Sequence, residues 1–119
     1  MKKILYAEDN FDTANVVKLI LDNAGYQVEI VHTGKECLDK AIDDSWDLVM
    51  LDIVLPDMSA WEIFQSLKSR IHAKYAILSA IPASFERIIE IEKEGISDYI
   101  TKPFTRSELL EKVAKVMAS

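Results

Sequence analysis

The stretch "KILYAEDNFD", residues 3–12, places an apolar run directly before two adjacent carboxylates, Glu8 and Asp9. The run Ile4–Ala7 has the length and composition of a buried strand. A helical pattern begins just after the two acids, and Asn10 stands where the N-cap of a helix belongs. The stretch therefore predicts a βα unit whose strand delivers two negative charges to one edge of a sheet.

Four further apolar runs alternate with helical patterns along the chain. The predicted strands are Ile4–Ala7, Val28–Val31, Leu48–Leu51, Tyr75–Leu78 and Tyr99–Ile100. Strict alternation of strands and helices predicts a parallel sheet with helices on both faces. The second run alternates polar and apolar residues and the fifth is short, so both are expected at the edges of the sheet. This favours an α/β, flavodoxin-like (βα)5 sandwich with strand order 2-1-3-4-5.

The five predicted helices carry apolar residues at the spacing of one helix face. From first to fifth, these positions are Thr13, Val16, Val17, Ile20, Leu21 and Ala24; Cys37, Leu38, Ala41 and Ile42; Ala60, Ile63, Phe64, Leu67 and Ile71; Ile88, Ile89 and Ile91; Leu109, Leu110, Val113, Val116 and Met117. Gly25 and Gly95 stand where the first and fourth helices are expected to end.

The fourth helix has more apolar residues than one sheet-facing stripe can take, because Phe85 precedes its three isoleucines. We hypothesise that Ile91 falls off that stripe and forms an exposed apolar patch with Ile96 and Tyr99. A partner or a second copy of the chain would cover such a patch. The alternative is that Ile91 is an isolated exposed aliphatic residue.

The composition limits what the chain binds. Its 119 residues suffice for one domain, expected to span residues 1–119, and its formal charge of −6 disfavours nucleic acid and anionic membranes. That charge is consistent with a cation or a basic protein patch as partner. Cys37 is the single cysteine and cannot form an internal disulfide. No apolar run approaches the ~20 residues of a membrane span, so a cytoplasmic protein is expected.

Three carboxylates are expected to meet at the carboxyl edge of the sheet. Asp52 follows the third strand in "LVMLDIVLPD", residues 48–57, as Glu8 and Asp9 follow the first. Strands one and three are neighbours in the predicted order, and ligands bind where that order reverses. Like charges at such short range must be offset either by protons or by a cation. Oxygen ligands of this kind suit Mg²⁺, and Mn²⁺ would also fit.

Two further polar groups are expected at the same edge. The fourth strand delivers the Ser79 hydroxyl and the fifth delivers the Lys102 ammonium, with Pro103 behind it after a cis peptide bond. Taken alone, Ser79 is an ordinary polar strand end and Lys102 an ordinary surface residue. A hydroxyl and an ammonium beside a carboxylate–metal centre would receive the oxygens of a phosphoryl group.

With these positions the chain resembles a response-regulator receiver domain of two-component signalling, a member of the CheY-like superfamily. The resemblance extends over residues 2 to 118. It rests on the motifs "AEDN", "LVMLDIVLPDM", "LSA", "EGISDYITKPF" and "ELLEKV", which occur in that order. The resemblance implies that Asp52 accepts a phosphoryl group from a phosphohistidine and that the domain is a signalling module, catalysing only its own phosphorylation and slow dephosphorylation.

The resemblance also implies roles for the neighbouring residues. Glu8 and Asp9 would position Mg²⁺ together with Asp52, with Asp9 the direct ligand, and the backbone carbonyl of Val54 would be a main-chain ligand. Lys102 would bind the phosphoryl group. Ser79 would be the switch hydroxyl, and Tyr99 would be the aromatic residue that moves inward with it.

The partners implied are a sensor histidine kinase or a histidine phosphotransfer protein upstream and an unidentified protein downstream. Phosphorylation would shift the face made by helix four, strand five and helix five. A phosphorylation-dependent homodimer is a further expectation. The sequence departs from the family at Ala60, where Gly is common, and at Ile96, where a small residue is common. Trp61 is expected to pack locally.

Other classes of protein fit parts of the same pattern. A flavodoxin-type FMN carrier shares the architecture, but "AEDNF" would repel its phosphate. A haloacid-dehalogenase-type phosphatase needs a second carboxylate where Val54 stands. Neither GxGxxG nor GxxxxGK[ST] occurs, which disfavours nucleotide binding. A receiver-like scaffold that works without phosphorylation is the remaining alternative. His32 and His72 have no partner spacing and are expected at the surface.

Overall fold

Strands and helices alternate throughout the computed structural model, which describes residues 1–118. The elements are β1 (Lys3–Ala7), α1 (Phe11–Asn23), β2 (Gln27–Val31), α2 (Gly34–Asp43), β3 (Leu48–Leu51), α3 (Ala60–Leu67), β4 (Lys74–Ser79), α4 (Phe85–Glu94), β5 (Asp98–Thr101) and α5 (Arg106–Ala118). Each predicted strand is present, and four of the five extend one or two residues further than the apolar runs. None of the described helices is long and apolar enough to cross a membrane.

The five strands form one parallel sheet in the order β2-β1-β3-β4-β5. The predicted flavodoxin-like order and the two predicted edge strands are therefore confirmed. Ala7 pairs with Leu51, so Glu8 and Asp52 leave neighbouring strands at the same level of the sheet. The amide of Asp52 donates to the Ala7 carbonyl at 3.1 Å, which extends the pairing one residue past the strand.

The core lies in two layers, one on each face of the sheet. Helices α1 and α5 pack on one face, and α2, α3 and α4 pack on the other. In β3 the side chains alternate between the layers, with Val49 and Leu51 in one and Leu48 and Met50 in the other. All four are fully buried, as expected for a central parallel strand.

Local sequence signals set the helix ends. Asn10 is the N-cap of α1, and its side chain accepts a hydrogen bond from the Thr13 amide at 2.9 Å. Gly25 and Gly95 follow α1 and α4 with φ of 95° and 116°, a backbone conformation that side chains with a Cβ resist. The predicted helix ends at both glycines are thus confirmed.

Four of the positions predicted on the helix faces are exposed instead, namely Val16, Ala24, Ile42 and Ile89. Val16 and Ile42 are 55% and 54% exposed. In α1 the buried stripe is Ala14, Val17 and Leu21, and Val16 lies about 100° around the helix from Val17. Apolar composition alone did not distinguish the stripe that meets the sheet from the apolar residues beside it.

The predicted exposed patch around Ile91 is wrong. Ile91 is fully buried and packs in the same core layer as Ile96 and Tyr99, whereas Phe85 and Ile89 are 75% and 37% exposed. The helix turns its Ile88 and Ile91 side toward the sheet, because residues three apart share a face. The exposed apolar residues of α4 therefore lie at its beginning and on its outer side.

The residues that depart from the common family pattern fit the fold without backbone strain. Ala60 is buried at the start of α3, and no described residue other than glycine has a positive φ. Ile96 is also buried. Trp61 is half-buried against the core, as predicted, and the guanidinium of Arg87 lies 4.7 Å from its ring centroid.

A matched pair of substitutions on α4 tests the orientation of this helix. We expect Ile91→Ala to lower the free energy of unfolding by about 2–5 kcal/mol, because it leaves a cavity in the core. Ile89→Ala should lower it by about 1 kcal/mol or less, since that side chain is 37% exposed and its removal leaves no enclosed cavity. Urea unfolding followed by circular dichroism measures both. Equal effects of the two changes would contradict the described orientation.

Candidate functional site

Three carboxylates lie together at the carboxyl edge of β1 and β3. Glu8, Asp9 and Asp52 each offer a carboxylate oxygen, and these oxygens lie within 4.8 Å of one another. Glu8 and Asp52 are only 1% and 8% exposed, whereas Asp9 is open to solvent. The sheet register causes this meeting. Strands β1 and β3 are hydrogen-bonded neighbours that end at the same level, and the acids directly follow those two ends.

Lys102 joins the acids from the end of β5. Its ammonium donates to Asp52 Oδ2 at 3.2 Å and forms an ion pair with Glu8 Oε1. The Lys102 amide donates to the Ser79 carbonyl at 2.8 Å, which holds this loop against the end of β4. The peptide bond between Lys102 and Pro103 is cis, as predicted. The structure thus brings Lys102 to two of the three carboxylates, those of Glu8 and Asp52.

The carboxylate of Glu8 is held inward by donors from its own strand and loop. The Tyr6 hydroxyl donates to Glu8 Oε1 at 2.9 Å, and the Asn10 amide donates to Oε2 at 3.3 Å. Burial, and then the nearby Glu8 charge, raise the pKa of Tyr6. Sequence reasoning missed Tyr6. The signal was a tyrosine in a fully buried strand, whose hydroxyl must find a partner.

The loop after β3 holds the other oxygen of Asp52. The Val54 amide donates to Asp52 Oδ1 at 3.2 Å, and Val54 forms an isolated antiparallel bridge with Ser59. Residues 54–59 therefore make a small closed loop beside the acids. The role of the Val54 carbonyl as a metal ligand stays a prediction.

Ser79 and Tyr99 meet at one residue of the β4–α4 loop. The buried Ser79 hydroxyl accepts a hydrogen bond from the Ile81 amide at 3.1 Å, and the Tyr99 hydroxyl donates to the Ile81 carbonyl. Tyr99 is 5% exposed, so its ring is in an inward position in this structure. Both predicted switch residues therefore contact the same loop residue.

The charges at this edge do not balance. Three carboxylates face one ammonium, which leaves two formal negative charges uncompensated. All the ligand atoms that the acids offer to a metal are carboxylate oxygens, and one of the three acids, Asp9, is open to solvent. Hard divalent cations prefer such oxygen sets, and Mg²⁺ retains several waters when it binds few protein groups. The residues present therefore fit a Mg²⁺ ion.

His32 is not the isolated surface residue that was expected. It is half-buried, its Nδ1 donates to the Glu8 carbonyl at 2.8 Å, and its ring stacks on Phe11 with centroids 3.8 Å apart. The hydrogen bond could not be predicted because it joins residues 24 positions apart. His72 is exposed, as predicted.

An apolar groove of about 480 Å³ opens beside the acids, between α1 and the loop after β5. Its walls include Val16 and Ile20 of α1 and Phe104 of the loop, and Lys102 and Asp12 line it too. The groove therefore continues from the polar site onto an apolar surface. Sequence reasoning missed it because it assigned Val16 to the core.

Comparison with known proteins places this arrangement in a family. The sequence profile of the response regulator receiver domain matches residues 4–114. The transcriptional regulatory protein HprR of Escherichia coli is 38% identical over 111 residues, which are 93% of this chain and 49% of that protein. The response regulator ArlR of Staphylococcus saprophyticus is 32% identical over 117 residues, 98% of this chain and 53% of that protein. The chain thus spans about half the length of these curated relatives.

Solved structures with the same fold include two above 30% identity. A CheY-like receiver domain protein from Methanospirillum hungatei has a TM-score of 0.87 at 33% identity, covering 99% of this chain and 94% of that one. The response regulator TrrA of Thermotoga maritima, solved in complex with Mg(2+)-BeF, has a TM-score of 0.83 at 31% identity, covering 98% and 99%. By its sequence match and its fold, this chain belongs to the response regulator receiver domain family.

Proposed function

We propose that Asp52 takes a phosphoryl group from the phosphohistidine of a sensor histidine kinase or a histidine phosphotransfer protein. The observation that carries this proposal is the convergence of Asp52 with two other carboxylates and the Lys102 ammonium. An Asp52 carboxylate oxygen attacks phosphorus, the bond from phosphorus to the imidazole nitrogen breaks, and the aspartyl phosphate forms. The domain acts on no other substrate and is a signalling module.

The metal required is Mg²⁺, with Mn²⁺ as a substitute. Asp9, Asp52 and the Val54 carbonyl would hold it, and Glu8 would assist from its inward position. When bound, the ion neutralises charge on the oxygens of the phosphoryl group. Lys102 supplies the second cation at these oxygens, since its ammonium already lies 3.2 Å from Asp52.

The signal passes through Ser79. Its hydroxyl moves toward a phosphoryl oxygen and releases the Ile81 amide, to which it is bound in this structure. Ile81 also accepts the Tyr99 hydroxyl, so the loop and the tyrosine shift together. Phosphorylation thereby shifts the face made by α4, β5 and α5 toward a different conformation. In that conformation the face contacts an unidentified downstream protein or a second copy of the chain.

The remaining expectations are proposals of the same kind. We place the protein in the cytoplasm as a single receiver domain over residues 1–119. Its charge of −6 disfavours nucleic acid and membrane surfaces as partners of this domain. A scaffold that works without phosphorylation would not need Lys102 paired to Asp52 beside two further acids.

Phosphorylation by a small-molecule donor tests the chemistry. Incubation with acetyl phosphate and Mg²⁺ should add the mass of one phosphoryl group to the wild-type chain, as read by intact-protein mass spectrometry. Asp52→Ala should add none, because the nucleophile is gone, and EDTA should abolish the gain in the wild type. Asp39→Ala, which removes an exposed acid of α2, is the matched control and should be labelled normally. Labelling of Asp52→Ala, or no labelling of the wild type, would refute the proposal.

The groove beside α1 is the proposed docking surface for the phosphodonor. It is apolar, it adjoins Lys102, and a donor seated there would be beside Asp52. The donor's complementary surface would be an apolar helix face, since most of the groove wall is apolar.

Val16→Glu tests this docking surface. The donor is the sensor kinase that labels the wild-type chain fastest. Transfer from this kinase to the variant should be slower by about tenfold or more, equivalent to about 1.4 kcal/mol. Labelling by acetyl phosphate should be unchanged, because the substitution leaves the acids in place. Ile42→Glu alters a residue of equal exposure on α2 and is the control. If both variants accept phosphate from the kinase at the wild-type rate, the docking surface lies elsewhere.

A further inference from the structure

The corner between β2 and α2, residues His32–Lys35, contains none of the three clustered acids. It nevertheless contacts the two loops that carry them. One of these loops follows β1 and carries Glu8 and Asp9. The other follows β3, starts at Asp52 and returns to α3. The corner is bonded to the first loop through His32 and to the second through its backbone amides.

Asp57 makes the connection to the loop after β3. Its Oδ1 accepts the Gly34 amide at 2.8 Å and its Oδ2 accepts the Lys35 amide at 2.9 Å. These amides belong to the first turn of α2, where amides have no partner within the helix. The same two hydrogen bonds lower the pKa of Asp57 below its usual value. Although Asp57 is exposed, both of its carboxylate oxygens accept hydrogen bonds from α2, from residues 22 and 23 positions earlier in the chain.

Gly34 lets the loop come this close. A Cβ at position 34 would lie 2.1 Å from Met58 Cγ and 2.6 Å from Met58 Sδ. Gly34 is not in the left-handed region, so close approach is its role here. Met58 also packs against the core, which holds the tip of the loop between α2 and the sheet.

The loop after β3 couples the position of Asp57 to the acid site, because it is short and its ends are bridged. Asp57 and Met58 lie inside the segment that the Val54–Ser59 bridge closes. At the base of that segment the Val54 amide binds Asp52 Oδ1. A displacement of Asp57 therefore moves Val54, and with it one donor to the proposed phosphoryl acceptor.

The other end of the corner holds the acidic pair. His32 Nδ1 donates to the Glu8 carbonyl, and the His32 ring stacks on Phe11 at an interplanar angle of 7°. The Glu8 amide donates to the Val31 carbonyl at 3.0 Å. The backbone of Glu8 is therefore fixed on both sides by the end of β2.

We infer that the His32–Lys35 corner and Asp57, the loop residue to which its amides are bonded, together position the metal site. Beyond the β1–β3 pairing, which ends at Asp52, this corner holds the closed loop from Val54 to Ser59 against the loop that carries Glu8 and Asp9. This inference rests on the proposed Mg²⁺ site. Groups that orient metal ligands without touching the metal commonly change affinity tenfold to a hundredfold.

Magnesium titration of Asp57→Ala tests this role. Isothermal titration calorimetry should show Mg²⁺ binding weaker by about tenfold or more than in the wild type. Asp44→Ala is the matched control, because Asp44 is an exposed aspartate that follows the far end of α2 and pairs with Lys3. It removes the same charge and should shift the Kd by about twofold or less, because an exposed charge at the opposite end of α2 is screened by salt.

Two further measurements separate positioning from general loss of structure. Urea unfolding in EDTA reports stability without metal, and Asp57→Ala should still be fully folded under the titration conditions. Its rate of labelling by acetyl phosphate should return to within about twofold of the wild type at saturating Mg²⁺, because the nucleophile and Lys102 are intact. His32→Phe removes the hydrogen bond to Glu8 while keeping a ring on Phe11, and it should also weaken Mg²⁺ binding.

The outcomes distinguish this inference from the proposed function. A wild-type Kd in Asp57→Ala, or an equal loss in Asp44→Ala, overturns the positioning role and leaves the phosphorylation chemistry standing. A wild-type chain that binds no Mg²⁺ overturns both. If Asp57→Ala does not fold, Asp57→Asn, which retains one acceptor oxygen, is titrated instead, and a Kd equal to the wild-type value again overturns the role.

Discussion

The repulsion among three carboxylates at one sheet edge is the constraint around which this molecule is arranged. Two of them are nearly inaccessible to solvent, where water screens charge least. The fold offsets this with one ammonium, a tyrosine hydroxyl and main-chain amides directed at carboxylate oxygens. These groups come from three stretches of the chain that follow or belong to β1, β3 and β5, so the site forms only when these strands are brought together in the sheet. Removing one partner would leave a buried charge without compensation.

The parallel register of the sheet determines where these charged groups meet. Neighbouring strands end at the same level, so residues 44 positions apart face each other across one crevice. Helices on both faces bury the central strand β3 completely and nearly all of β1 and β4, so the polar groups of the site gather at their carboxyl edge. The amino edge carries ion pairs such as Lys3 with Asp44, which are exposed and weakly coupled to folding.

Strand order, helix ends and the clustering of Glu8, Asp9 and Asp52 could be predicted from the sequence because each depends on local pattern plus topology. Periodicity of 2 or 3.6 and capping residues are local signals, and parallel topology fixes which strand ends meet. The orientation of α4 was not predictable, since Ile88, Ile89 and Ile91 are equally apolar and only packing decides among them. The hydrogen bonds of Tyr6, His32 and Asp57 were also missed. Two of these join residues far apart in sequence, and no repeat or motif reports them.

The two hydrogen bonds of Ile81 have a mechanical consequence. Its amide serves Ser79 and its carbonyl serves Tyr99, so a serine from one strand end and a tyrosine from the next strand are tied to one residue. A movement of the Ile81 backbone therefore alters both hydrogen bonds at once. A shift of this one peptide segment is thus felt at the ends of two neighbouring strands, β4 and β5.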